Sequence, residues 1–277
     1  MKLRKRKLPR NPLDFVSFIF VMVTVPILYW FMVFTVLPST YPTHSFWYTI
    51  HLSISTFLMM NVTSNFVYMV LQDCSILGEV MPTTKVTPEW KFCTICETYT
   101  PPRSYHCNVC KICILKRDHH CQFASCCIGY HNQRYFLYFL FYITVATSYG
   151  FYFYTIFLMK ITTLTVNNIL KFIFPLAMFT FGIDLSIEQV YITIYVVNIL
   201  CFMTSSVLFM YHINSALQGI TMYERNHKIY DYKKSSLKEN FIDIVGDRWH
   251  LTWLSPLIVS RLPHDGINWI KNKINND

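Results

Sequence analysis

Four stretches of this chain carry no formal charge for longer than a lipid bilayer is thick: Phe15–Leu37, Phe46–Leu71, Tyr135–Met159 and Val190–Tyr211. Each runs 22 to 26 residues. At about 1.5 Å rise per residue, a helix of that length crosses a hydrocarbon core of roughly 30 Å with some tilt. No water is present there, so backbone polar groups must be satisfied within the segment, and each run is expected to be a transmembrane helix. Composition agrees: 53% of the 277 residues are hydrophobic and only 14% charged, which a soluble domain could bury only in an exceptionally large core. Pro26 is tolerable inside the first span, because neighbouring helices can satisfy the groups it frees. A shorter apolar stretch, Ile169–Gly182, contains Lys171 and Pro175 and is expected to be a loop lying on the membrane. The first span is too long and too late in the chain for a cleaved signal peptide.

A formal charge of +9 raises nucleic acid as a partner, but the basic residues flank the apolar runs and do not cover one face. Six Lys and Arg precede the first span, seven lie between the second and third, and nine follow the fourth; Lys160 and Lys171 alone lie in the other connections. With 22 of 24 on one side, both termini and the central loop are expected in the cytosol, on a multi-pass protein with no nucleic-acid partner. The basic N-terminus (Lys2, Arg4, Lys5, Arg6, Lys7) suits topology and anionic lipid. The expected organisation is a basic cytosolic N-terminus (1–14), helices 1 and 2 (15–71), a cytosolic cysteine-rich module (72–134), helices 3 and 4 (135–213) and a cytosolic C-terminal region (214–277), without an internal repeat. Channels and transporters are disfavoured, since His51 is nearly the only ionisable group within the runs.

Eight of the ten cysteines fall between residues 93 and 127. In a secreted protein such density would suggest disulfides; in a reduced, cytosolic loop interleaved with histidines it points to metal. The order is Cys93-x2-Cys96, His106-Cys107-x2-Cys110-x2-Cys113, Asp118-His119-His120-Cys121 and Cys127. These residues supply enough ligands for two tetrahedral zinc sites, and metal binding would contribute much of the folding free energy of a segment poor in large apolar residues.

This pattern resembles the cysteine-rich domain of the DHHC protein acyltransferases (palmitoyltransferases). Pro102-Arg103, Ile112-Cys113, Arg117, Gly129, Asn132 and Phe136 fall in the same pattern. Gly219-Ile220-Thr221-Met222-Tyr223-Glu224 resembles the family's Thr-Thr-x-Glu element, and Asn240-Phe241 through Gly246, with Trp249 and Trp253, its C-terminal motif. The resemblance implies an α-helical integral membrane protein whose four transmembrane helices flank a cytosolic zinc module. It also implies two structural zinc ions, one on Cys93, Cys96, His106 and Cys113, the other on Cys107, Cys110, His120 and Cys127.

Cys121 is then left unligated. The thiolate is the nucleophilic form of cysteine. His119 is expected to act as its base and Asp118 to fix the imidazole and stabilise the imidazolium. The implied activity is transfer of a long acyl chain from acyl-CoA (palmitoyl-CoA), through an acyl-enzyme on Cys121, to cysteines of membrane-associated proteins. The expected setting is an endomembrane, the endoplasmic reticulum or Golgi. Arg103 is expected to meet the CoA phosphates, whereas Lys116 and Arg117 suit solvent or lipid headgroups. Aromatic residues of the third span (Tyr135, Phe136, Phe139, Phe141, Tyr142) suit an acyl-cavity wall or helix packing, and Cys126 reads as an ordinary thiol.

The chain departs from the family pattern at Gln122-Phe123, Thr100, Met222, Asp73-Cys74-Ser75 and Ser236. Thr100 and Met222 motivate an alternative, a catalytically impaired member acting as a zinc-stabilised membrane scaffold. A zinc-bearing ubiquitin ligase is a third class, in which Asp118, His119 and Cys121 would have no role.

Overall fold

Each uncharged run lies within one long helix. The computed structural model describes residues 3, 4, 9, 11–78, 88–162 and 166–271; Lys2, Lys5, Arg6 and Lys7 of the basic N-terminus lie outside them. The helices are α1 (Pro12–Phe31), continued through a π-helical turn at Met32–Val36 into α2 (Leu37–Thr40), then α3 (Phe46–Leu71), α4 (Gln133–Ile161), α5 (Val166–Ile173), α6 (Pro175–Thr180), α7 (Ile187–Leu217), α8 (Met222–Asn226) and α9 (Leu237–Val245). Four continuous helices are long and apolar enough to cross a membrane: Pro12–Thr40, Phe46–Leu71, Gln133–Ile161 and Ile187–Leu217. Three of them overrun their charge-free runs by several residues, because a helix end can carry polar groups to the interface. The widened turn at Met32–Val36 immediately precedes Pro38, whose ring would meet the Phe34 carbonyl in α-geometry.

Ile169–Gly182 is not the loop expected from sequence. It holds most of α5 and all of α6, with Pro175 opening α6 where it needs no N–H donor. Lys171 Nζ lies 2.6 Å from Asp184 Oδ2, which neutralises the charge that made this stretch look unsuited to order.

The chain divides into two compact units. One comprises Met22–Val62 and Leu140–Phe209. Its core packs Phe31, Met32, Val36 and Leu37 against Phe153, Tyr154, Phe157, Leu158 and Ile192. A Cβ on Gly150 would stand 3.0 Å from Asn198 Oδ1, so glycine permits the close approach of α4 to α7. Asn198 Nδ2 donates to the Thr147 carbonyl at 3.0 Å across the same contact.

The other unit comprises Met1–Val21, Thr63–Phe139 and Met210–Asp277 and contains the cysteine-rich module. Three antiparallel hairpins make up that module: β1 (Lys91–Cys93) with β2 (Thr98–Thr100), β3 (Tyr105–Cys107) with β4 (Ile112–Ile114), and β5 (His119–Cys121) with β6 (Cys126–Ile128). They form an internal repeat, contrary to the sequence expectation. Cys93, Cys107 and Cys121 stand at the same place in successive hairpins, and Cys96, Cys110 and Ala124 at the next. Each turn then closes through a left-handed residue, Glu97, Lys111 or Ser125, with φ of 49°, 55° and 49°. Gly129 is pinned by packing: a Cβ there would lie 2.6 Å from the Leu115 carbonyl oxygen.

Candidate functional site

The hairpins bring the side chains expected to bind metal together in two groups, each with all candidate ligand atoms within 4.8 Å of one another: Cys93, Cys96, His106 and Cys113, and Cys107, Cys110, His120 and Cys127. In both, the turn of one hairpin gives two thiols, and the paired strands of the next give a histidine opposite a cysteine, His106↔Cys113 and His120↔Cys127. The Sγ–Nδ1 separations run from 3.3 to 3.8 Å. The Cys96–Cys113 and Cys110–Cys127 sulfurs lie 3.7 and 3.6 Å apart. A tetrahedron with bonds of about 2.3 Å to sulfur and about 2.0 Å to nitrogen has edges of roughly 3.5–3.8 Å. Both donor sets therefore fit a zinc-sized ion. His120 presents Nδ1 to its group, and its Nε2 lies 3.0 Å from Asp14 Oδ2, a buried carboxylate from the first turn of α1. Such an outer partner fixes the orientation and tautomer of a metal-binding imidazole.

Cys121 stands at the end of β5 and is buried. His119, two residues back on the same strand face, is within hydrogen-bonding reach of it. The His119 Nδ1–H donates to Asp118 Oδ2 at 2.6 Å, leaving Nε2 as the ring's other nitrogen. Burial alone would weaken His119 as a base; the hydrogen bonds and charges of Asp118 and Cys121 outweigh it and hold the imidazole up at about 9. Asp118 is buried, which would raise it, yet the bond to His119, the nearby histidine charges and the Met222 N–H keep it below the usual carboxylate range. Met222 N donates to Asp118 Oδ1 at 2.7 Å. Cys126, directly across the hairpin from Cys121, is a fully buried thiol pushed well up by desolvation.

The family profile of the DHHC palmitoyltransferases matches residues 86–229. A protein of Danio rerio described as probable palmitoyltransferase ZDHHC24 is 33% identical over 80% of this chain and 76% of its own length. The chain belongs to the DHHC palmitoyltransferase family. A Mus musculus protein with the same description is 28% identical over 79% of this chain and 78% of its own.

Within this DHHC palmitoyltransferase, Arg103, expected at the CoA phosphates, is held by groups of the chain itself. It is 4% exposed, and its Nε and Nη2 make a bidentate pair with Glu224 at 2.6 and 2.7 Å. Nη2 also donates to the Gly219 carbonyl at 2.9 Å. A guanidinium so engaged ties the module to α8. Lys116 is equally buried, over Trp269 and 3.5 Å from the Asp243 carbonyl, so it faces neither solvent nor headgroups. The guanidinium of Arg117 lies over the Tyr223 ring.

The departures from the family pattern are structurally mild. Met222 reaches Asp118 through its backbone N–H, a contact that any residue but proline can make. Thr221 and Glu224 complete a capping box at α8. Ser236 caps α9, while Asn240, buried, makes hydrogen bonds to the Leu217 and Lys234 carbonyls and the Lys234 N–H. Phe136 packs edge-on against the His119 ring at 5.0 Å. Tyr135, Phe139 and Tyr142 are buried among neighbouring rings, and Phe141 is partly exposed.

Sequence reasoning missed two titratable side chains at this centre, Asp14 and His212. Asp14 and His212 each adjoin a charge-free run by one residue, so each looked like the edge of a span. The signal available was chemical: an ionisable side chain at the end of a membrane helix is a functional candidate by default.

Proposed function

We propose that this palmitoyltransferase forms an acyl-enzyme on Cys121, with His119 as the proton-transfer group and Asp118 as its orienting carboxylate. The observation that carries the reading is the Asp118–His119–Cys121 line of contacts, held by a strand whose neighbouring residue, His120, points into a metal-fitting group. Cys93, Cys96, His106 and Cys113 would hold one zinc, and Cys107, Cys110, His120 and Cys127 the other. With four protein ligands each, the ions would supply rigidity and leave no open position for substrate.

The reaction runs in two displacements. Cys121 passes its proton to His119, and its sulfur attacks the thioester carbonyl of acyl-CoA. The bond from that carbon to the CoA sulfur breaks, and CoA leaves as the thiol with the proton from His119. A cysteine of a membrane-associated protein then gives its proton to His119, attacks the Cys121 thioester and releases the Cys121 thiol. Asp118 stabilises the imidazolium formed in each half.

The excess of basic residues on one side supports a cytosolic placement of both termini and the module, in an endomembrane such as the endoplasmic reticulum or Golgi. The scaffold alternative loses one of its two supports, since the Met222 contact to Asp118 runs through the backbone.

The test is transfer of an alkyne-tagged palmitoyl group from CoA to purified protein. Wild type should take a label released by neutral hydroxylamine, and zinc-replete Cys121→Ser should take none. Labelling of both alike, or of neither at full zinc content, would overturn the reading.

A further inference from the structure

His212 belongs to the last turns of α7 and is 7% exposed. Its Nδ1 lies 3.5 Å from Asp118 Oδ2, the oxygen that accepts the hydrogen bond from His119. Its ring stands over that of His119, centroids 4.9 Å apart and planes inclined by 32°. Phe136 meets the His212 ring edge-on at 4.8 Å and the His119 ring at 5.0 Å, so the three rings enclose one another in a single cluster. Asp118, His119 and His212 bring their ligand-type atoms within 4.8 Å of one another.

The reaction needs one orientation of His119, with Nδ1 on Asp118 and Nε2 toward Cys121. The torsion that turns an imidazole about its Cβ–Cγ bond is broad, so no rotamer preference sets that orientation. The hydrogen bond to Asp118 anchors one nitrogen but still permits the ring to swing about it. A ring across its face and another at its edge remove that freedom. A nitrogen 3.5 Å from Asp118 Oδ2 also adjoins the carboxylate whose other oxygen accepts the Met222 N–H. Space-filling alone accounts for a buried ring on α7; it does not account for a nitrogen placed 3.5 Å from the one carboxylate oxygen that orients His119.

We propose that His212 is a positioning residue for acyl transfer: it fixes the plane of the His119 imidazole and steadies Asp118, without touching substrate. This rests on the reading of Asp118, His119 and Cys121 given above.

The test compares full-length wild type with His212→Ala, His212→Phe and His212→Asn in detergent. Phenylalanine restores the ring without nitrogen; asparagine restores a nitrogen near the Nδ1 position without the ring. Initial rates of Cys121 acylation are measured across palmitoyl-CoA concentrations, with zinc content measured in parallel. His212→Ala is expected to lower the limiting rate between about 10- and 100-fold, the upper figure being what misplacement of a catalytic group by about 1 Å costs. KM and zinc content should stay near wild type, and the phenylalanine and asparagine variants should each recover part of the rate. A wild-type limiting rate in His212→Ala would overturn the proposal, as would a change confined to KM or a loss that follows zinc loss in all three variants. Absence of Cys121-dependent label on wild type would instead defeat the underlying reading.

Discussion

Lys116 adopts a left-handed backbone conformation, φ 42°, with its side chain shut off from water against Trp269 and the Asp243 carbonyl. Burial pulls its amine down to about 7, and the charge of Arg103 pulls the same way, against the attraction of Asp243, Glu224 and Asp118. The unfolded chain holds that proton until about pH 10.4. Between those values the unfolded state binds more protons, so stability rises with pH from about 7 upward, and the cost of the buried charge is fully present below 7. Lys116→Met keeps the length of the side chain without the charge. The wild-type melting temperature in detergent should therefore climb from pH 7 to 9 relative to that of Lys116→Met; parallel curves would contradict it. The surroundings of Arg103 and Lys116 were not legible in sequence because the groups that enclose them, Glu224, Asp243 and Trp269, come from the far end of the chain. No local pattern announces a partner 121 residues away.

Among the elements, the helices were the most legible, since absence of charge over 22 or more residues has few physical meanings in a chain this apolar. Their ends were less so, because polar residues extend a helix past its apolar run. The hairpin repeat escaped notice because its ligand residues change identity between copies: Phe92, His106 and His120 occupy one place, and Tyr99, Cys113 and Cys127 another. One link between these hairpins and α8 is the Arg103–Glu224 pair, with both side chains 2% exposed. A buried charge stripped of its partner costs about 3–5 kcal/mol, whereas replacing both partners by neutral residues costs far less. Arg103→Ala should accordingly lower the melting temperature sharply, and Arg103→Met with Glu224→Gln should recover most of it. Additive losses in the double variant would show that the pair is not coupled.

At the scale of the whole molecule, orientation follows from the distribution of Lys and Arg. Gly182 lies in the connection before α7 at φ 65° with open space around its Cα, a site suited to insertion. In sealed microsomes, an epitope inserted after Gly182 should resist added protease, while one fused at the C-terminus should be removed. The opposite pattern would place the thiol chemistry in an oxidising compartment and exclude the proposed topology.

The hairpin repeat has a consequence for what distinguishes a ligand from a nucleophile. In the first two hairpins, the sulfurs of the turn are taken up by the hairpin that follows. After the third hairpin the chain turns into α4, and no successor arrives. Ala124, fully buried where Cys96 and Cys110 have thiols, offers no donor for a further ion. Cys93, Cys107 and Cys121 are equivalent by register, yet in the proposed mechanism only the last keeps its electron pair for a carbonyl carbon. On that proposal reactivity is a property of being terminal: the array ends, and its final sulfur becomes the reagent.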